Sequence, residues 1–512
     1  MKSLGSARRP LKAAVVVSLL FLSACATVRP VELDAGEITS VSRADRQLAS
    51  QVPPISGSLS LYEAIARALK YNLDQRVSLA EQAVATRQLD VTKREMLPAI
   101  MANAGYTARD QDLTRRSVDA VTGGPSNANP FISQERSHLV TELGATWNLL
   151  DFGVGYYNAK QQANRILIAG ERRRKVVHTL IQDVQTAFWR AYSAQVLRAE
   201  IVETIKVAEA ALKDAQAAEQ EQLRSPLDSL RFQRQLLENL RTLEALDQEL
   251  STAKLDLARL INVPMTADFT LAEPTADFTD AVLKIPVEQL EELAIRGNAD
   301  LREQHYNVRN ARLEARKAMM RLFPRLSFDY GFNYDTDKFL IHNSWNDAGA
   351  NLAFNLLNLA NIPLTKRLSA AGIALADQRR VATLMSIISQ VHIARQQYDN
   401  ARRLYARTDA LTDVEQRIVT QMGNREQAAV QGKLETVTGK TSLIITMLRR
   451  NQALSQVYAA EGRIQATLGL DPGIAQVDRL SLPELTEAVR RSLTAWQGSL
   501  GPQAAEPASG AM

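Results

Sequence analysis

The spacing of apolar positions changes period several times along this 512-residue chain, and each change predicts a change of element. Across residues 59–97 the spacing is helical, with Leu61, Ile65, Ala68 and Leu69 on one face, and the run stops at Pro98, whose ring cannot continue a helix. A similar run from about 287 to 323 stops at Pro324. After each proline the period falls to two. Phe328, Tyr330, Phe332 and Tyr334 alternate with Ser327, Asp329, Gly331, Asn333 and Asp335, which predicts a strand with aromatics on one face and polar groups on the other. Leu352, Phe354 and Leu356 against Asn351, Ala353 and Asn355 predict the returning strand. In the first half, residues 99–109 predict the outgoing strand, and Leu139, Thr141, Leu143, Ala145, Trp147 and Leu149 share one face of the return.

Long helical stretches follow each pair of strands. Residues 131–225 contain no proline, and across 155–223 only Gly170 interrupts a helical pattern, which predicts a helix of roughly 100 Å at the ordinary rise per residue. Residues 364–471 are also free of proline. Leu223, Leu227, Leu230, Leu237, Leu240, Leu243, Leu250, Leu257 and Leu260 recur at steps of three, four and seven, a coiled-coil seam. Ala208, Ala210, Ala211, Ala215, Ala217 and Ala218 add a second face of small residues, so these helices suit a wall of neighbours better than a single pair.

Self-comparison ties these stretches together. Asn72-Leu73-Asp74 and Pro98 align with Asn298-Ala299-Asp300 and Pro324 at an offset of 226, and Gly105-Tyr106 with Gly331-Phe332. Asn148-Leu149-Leu150-Asp151 aligns with Asn355-Leu356-Leu357-Asn358 at 207, and Leu260 to Pro264 aligns with Leu468 to Pro472 at 208. The drop in offset places about 19 extra residues between Tyr106 and Asn148, in a loop-like stretch with Thr122-Gly123-Gly124-Pro125 and Asn129-Pro130. The organisation this predicts is a first repeat at 59–268, a linker at 269–286, a second repeat at 287–476 and a C-terminal segment at 477–512 with a mobile tail after Gln497. Each repeat reads as helix, hairpin, long helix, turn and long helix; the hairpins fall at about 99–149 and 325–357, and the turns near 222–228 and 424–436.

Four alternating strands cannot close a barrel, and open edges are prohibitive in lipid, so closure requires more than one copy: two would give eight strands and three would give twelve.

The N-terminus changes the meaning of the composition. Lys2, Arg8, Arg9 and Lys12 precede the apolar run from Ala13 to Leu22, a signal-peptide pattern too short to span a bilayer as a mature helix. It ends in Leu22-Ser23-Ala24-Cys25, which resembles the bacterial lipobox, so residues 1–24 are expected to be removed and Cys25, the only cysteine, to carry acyl chains on a lipid-anchored segment at 25–58. Loss of those four basic residues takes 61 Lys and Arg to 57 against 56 Asp and Glu, which leaves no basic excess for nucleic acid.

Catalytic and cofactor motifs are absent or incomplete. Gly439-Lys440-Thr441 has Leu434 where a P-loop needs its first glycine. The histidines at 138, 178, 305, 342 and 392 do not pair at metal spacing. No catalytic, cofactor or metal residue is assigned, and no enzyme activity is expected. The turns carry more. In Gln222-Leu223-Arg224-Ser225-Pro226-Leu227-Asp228, Ser225 can cap, Pro226 suits the first helical position and Asp228 suits a helix N-terminus. Glu435 replaces Asp228 at offset 207. Leu223, Arg224, Ser225, Asp228 and Glu435 are therefore the candidates for a tip that closes a tunnel or contacts a partner.

Residues 59–472 resemble the TolC-like outer-membrane efflux family, including its lipidated members. Leu61-Tyr62-Glu63-Ala64-Ile65-Ala66-Arg67-Ala68-Leu69-Lys70-Tyr71-Asn72 looks like that family's opening helix. Asn148-Leu149-Leu150-Asp151-Phe152-Gly153 followed by Ala159 looks like its strand-to-helix junction, and Leu227-Asp228 like its acidic turn. Gln222 stands where a glycine is usual, and the second junction, Leu357-Asn358-Leu359-Ala360-Asn361, lacks the glycines of the first. The resemblance implies a mainly α fold with membrane strands: a homotrimer whose helical barrel continues into a twelve-stranded β-barrel. It also implies docking to a periplasmic adaptor and an inner-membrane pump, and passive export across the outer membrane. The alternative is a lipid-anchored coiled-coil envelope protein without a pore, which leaves the aromatic strands without a role.

Overall fold

The computed structural model describes residues 32–49, 51–126, 130–221, 225–273, 278, 280–427, 433–470, 477 and 479–499. They fall into two compact units. The first holds Leu89–Lys160 and Leu313–Ala370 together with the described residues up to Arg46, and the second holds Gln47–Gln88, Gln161–Arg312 and the described residues from Ala371 onward. No helix among the described residues is long and apolar enough to cross a membrane.

A four-stranded antiparallel sheet dominates the first unit. Writing β1 for Ala99–Ala108, β2 for Ser137–Asn148, β3 for Arg325–Asp335 and β4 for Ser344–Ala353, the order is β1-β2-β3-β4, with unbroken register along each pair. Helices end at Arg94 and Met320, short turns follow, and Pro98 and Pro324 deliver the chain into β1 and β3. The returning strand of the second hairpin lies earlier than its alternation predicts, because Phe354, Asn355 and Leu356 have left the ladder. The Asn355 side-chain oxygen accepts the Leu357 N–H at 3.1 Å and starts a helix instead. Asn148 does the same, accepting from Leu150 N at 2.9 Å and Asp151 N at 3.2 Å, so both junction asparagines are helix caps. Gly155 lets the first of these helices lie close to the turn after Arg94, since a Cβ there would stand 3.0 Å from Met96. Leu357 and Leu359 at the second junction are exposed, so nothing there requires a glycine.

Two helices of 72 and 71 residues, Leu149–Gln220 and Leu357–Gln427, run from the sheet into the second unit. There they pack with Pro226–Ser251, Ala253–Leu260 and Lys433–Leu468. One core gathers Ile65, Leu69, Val184, Phe188, Leu257 and Leu485, and it reaches the C-terminal helix Leu482–Ser499. A second core gathers Leu290, Leu301, Ile387, Tyr398, Val457 and Ile464. A two-residue parallel ladder, Ser58–Leu59 against Thr270–Leu271, was not legible in the alternation.

The single helix expected at 59–97 is broken at Asn72, between Leu61–Tyr71 and Leu73–Arg94. Asn72 is extended, with φ −62° and ψ 133°; its oxygen accepts from Asp74 N and Gln75 N while its nitrogen donates to the Leu260 carbonyl at 3.0 Å. Asn298 breaks the second copy alike: it accepts from Leu301 N and donates to Thr467 O at 3.0 Å. Each asparagine thus caps one helix and clamps the end of another.

The predicted leucine seam divides. Leu240, Leu243, Leu250, Leu257 and Leu260 are buried, whereas Leu227, Leu230 and Leu237 are exposed, and Leu236 is buried in their place. Gly439-Lys440-Thr441 lies inside Lys433–Leu468, with Thr441 Oγ1 bonded to Val437 O, which is helix and not a phosphate-binding loop. The tail expected after Gln497 begins with two more helical residues, and residues 500–512 lie outside those described.

Candidate functional site

The sheet has two chemically different faces. Registration places Ile100, Ala102, Ala104 and Tyr106 beside Ala145, Leu143, Thr141 and Leu139, and Trp147, Ala145, Leu143 and Thr141 beside Phe328, Tyr330, Phe332 and Tyr334. Leu352, Ala350 and Ala348 continue this face on β4, which turns polar toward the loops at Asn346 and Ser344. Its large members, Tyr330 at 56% and Leu352 at 68% among them, are exposed. The opposite face is mainly polar, with Asn103, Glu142, Thr146, Asp329, Asn333, Asp347 and Asn351 alongside Met101, Val140 and Trp345. Among the described residues no strand pairs with the outer edge of β1 or of β4. An aromatic face without cover beside a polar face, on strands of 10 to 12 residues, has the dimensions and alternation of a bilayer-spanning barrel wall.

Further apolar positions are left exposed by the described residues. Leu73, Val77 and Val84 form an exposed stripe on one helix, and Leu404, Leu411, Val414 and Ile418 form another at heptad spacing on Leu357–Gln427.

The two loops at the far end of the sheet are joined. The long loop of the first hairpin carries its own ladder, Leu113–Arg115 against Phe131–Gln134. Arg136 grips Asp112 through two bonds of 2.7 and 2.8 Å, Lys338 of the short loop bonds Glu135 at 2.6 Å, and Asp337 accepts from Glu135 N at 3.2 Å. Hydrogen bonding to Arg136 holds the Asp112 carboxyl below its ordinary 3.8, and hydrogen bonding to Lys338 holds Glu135 below its ordinary 4.5. Both pKa values are depressed on folding, so the docking they support is complete above those ordinary values and is lost as pH falls through the folded ones. Limited proteolysis of the loops is therefore expected to be unchanged from pH 8 to about pH 5 and to accelerate in stronger acid.

At the start of Pro226–Ser251, Pro226 occupies the first helical position, and Ser225 is the N-cap residue but makes no side-chain capping bond. The side-chain cap expected of Ser225 is therefore not made; its backbone carbonyl accepts from Asp228 N and Ser229 N, the ordinary first bonds of the helix. Asp228 is exposed and pairs loosely with Arg231 at 3.9 Å. Glu435 lies exposed in the first turn of Lys433–Leu468, which begins at the position equivalent to Pro226. Leu223, Arg224 and Cys25 lie outside the described residues.

No group of acidic, histidine or cysteine side chains among the described residues could hold a metal ion. His392 is bonded to Glu291 at 2.8 Å, and burial beside Arg380 and Arg309 pushes His305 below its ordinary pKa. Residues that the sequence pattern did not single out include the buried Glu171, held by Arg174 and by Arg302 at 2.7 Å, and the carboxylates of the polar sheet face.

No known protein-family profile matches the chain, and no curated protein matches it in sequence. Solved structures do. The Campylobacter jejuni CmeC outer-membrane channel superposes with a TM-score of 0.63 at 11% identity, over 84% of this chain and 89% of that one. The outer-membrane channel OprN gives 0.61 at 15%, over 80% and 89%. The open state of the Neisseria gonorrhoeae MtrE outer-membrane channel gives 0.54 at 18%, over 78% and 88%. The chain has the fold of these channels, the TolC-like fold in which a strand domain and long helices are built from one polypeptide.

Proposed function

We propose that this chain is one subunit of a passive outer-membrane exit duct serving a tripartite efflux or secretion system. The observation that carries the reading is the uncovered four-stranded sheet, with one aromatic face, one polar face and two open edges. In water the aromatic face is costly to expose; in lipid the open edges are costly. Placing the face in lipid and joining the β1 edge of one copy to the β4 edge of the next removes both costs, and a repeated head-to-tail contact of this kind closes a ring. The exposed stripes at Leu73, Val77 and Val84 and at Leu404, Leu411 and Ile418 give the helices surfaces for the same contact. Three copies make a twelve-stranded barrel above a helical tunnel. Cys25 acylation anchors each copy, the turns near Asp228 and Glu435 meet a periplasmic adaptor, and an inner-membrane pump supplies the energy.

Detergent-extracted protein is expected to sediment as an elongated trimer; a water-soluble monomer contradicts the reading. Asp228→Lys and Glu435→Lys are expected to change single-channel conductance or adaptor binding while the unfolding midpoint stays put. A shifted midpoint with unchanged conductance and binding would reduce both residues to helix caps.

A further inference from the structure

The polar face of the sheet contains a notch. Gly144 is registered with Gly331, and Gly331 with Asp347, so two side chains are missing side by side. Glu142 and Asn333 form the next row, and Thr146 and Asp329 the row on the other side. The neighbours lean into the gap. Glu142 Oε1 lies 3.2 Å from the position a Cβ on Gly144 would occupy, and Asp347 Oδ1 and Asn333 Nδ2 lie 2.5 and 3.5 Å from that of Gly331. Asn333 is only 9% exposed, and its Nδ2 has no hydrogen-bond partner among the described residues. Glu142 accepts from Asn103 at 3.3 Å and Asp329 from Thr146 at 2.9 Å, both neutral donors. None of the three carboxylates has a Lys or Arg partner among the described residues, and on this face only Arg325, at the start of its strand, carries a permanent positive charge.

We propose that this notch binds ammonium groups of organic cations passing along the barrel wall. The proposal rests on the duct reading, which turns the polar face toward the lumen. Glu142 and Asp347 would accept from the ammonium protons, and Asp329 would add negative potential. The free Asn333 amide would donate to a hydroxyl or water carried beside the charge. Within a barrel the notch recurs in every copy, so the wall concentrates cations over anions.

The test uses the full chain in planar bilayers of neutral lipid, with spermidine added from the side of the loops. Voltage-dependent block is expected, with the half-blocking concentration raised several-fold in Glu142→Gln/Asp347→Asn. Gly331→Ala, which fills the notch, is expected to weaken block likewise, while conductance in potassium chloride alone reports that each variant is assembled. An unchanged half-blocking concentration in the double variant overturns the proposal, as does loss of block in Asp228→Asn/Glu435→Gln with the notch intact. An open channel that spermidine does not block contradicts the notch alone, whereas assembled protein that opens no channel contradicts the duct reading.

Discussion

Replacing Gly469 with alanine is expected to destabilise the helical unit by on the order of 3 kcal/mol, read as a shift in the urea or thermal unfolding midpoint. Two independent causes converge. Gly469 has φ +69°, a conformation that strains a residue with a Cβ, and that Cβ would stand 2.0 Å from the Gly297 carbonyl carbon and oxygen. Neither backbone can retreat freely. Arg174 donates to both Gly297 O and Gly469 O, at 3.2 and 3.0 Å, and Asn298 clamps Thr467 O from the adjoining helix start. The equivalent corner in the first half is Asn262, with φ 54°, one residue off the sequence register, as the matching bonds Val263 N to Ala258 O and Leu470 N to Gln465 O show; at the position of Gly297 the first half has Tyr71. Gly469→Asn therefore separates the causes: asparagine tolerates the left-handed backbone, but its Cβ meets the same carbonyl. A loss in Gly469→Asn close to that in Gly469→Ala assigns the cost to close approach. A change below about 1 kcal/mol in both would mean that the corner relaxes.

Tyr330→Arg is expected to prevent stable insertion. Tyr330 stands mid-strand on the aromatic face, between Ala145 and Ala348, and its side chain is already exposed in the single chain. A globular sheet would lose little from an arginine there. On the lipid face of a membrane barrel the same change costs about 2–4 kcal/mol near the bilayer midplane, once per copy. The fraction of protein surviving as oligomer after urea washing of membranes is the readout. Asp329→Asn, one residue away on the other face, is the matched control and is expected to insert normally. Equal survival of both variants would mean that the aromatic face does not meet lipid.

Much of this architecture was legible because long elements announce themselves. Pro98 and Pro324 marked the helix-to-strand boundaries, though the helices stop at Arg94 and Met320, and Phe328 to Tyr334 alternated strictly enough to orient a strand. The breaks at Asn72 and Asn298 were not legible as breaks, because the helical spacing continues through them; the repeated Asn-x-Asp marked them as special without saying why. Capping explains the misplaced return strand too, since the alternation past Ala353 continues into Asn355, whose side chain ends the sheet. The leucine seam misled because periodicity records that a face is covered and not what covers it, and the described residues leave Leu227, Leu230 and Leu237 exposed. The acidic notch was hidden for a different reason. Registration across three strands, absent from any single segment, brings Glu142, Asn333 and Asp347 around two glycines.

The most direct test of the barrel is a cysteine walk along β3 in native membranes, read with a membrane-impermeant maleimide. Cysteines at 325, 327 and 329 are expected to label from the lumen, and cysteines at 328, 330 and 332 to be protected by lipid. Labelling of all six positions alike, with no two-residue period, would contradict a membrane-embedded wall and with it the duct.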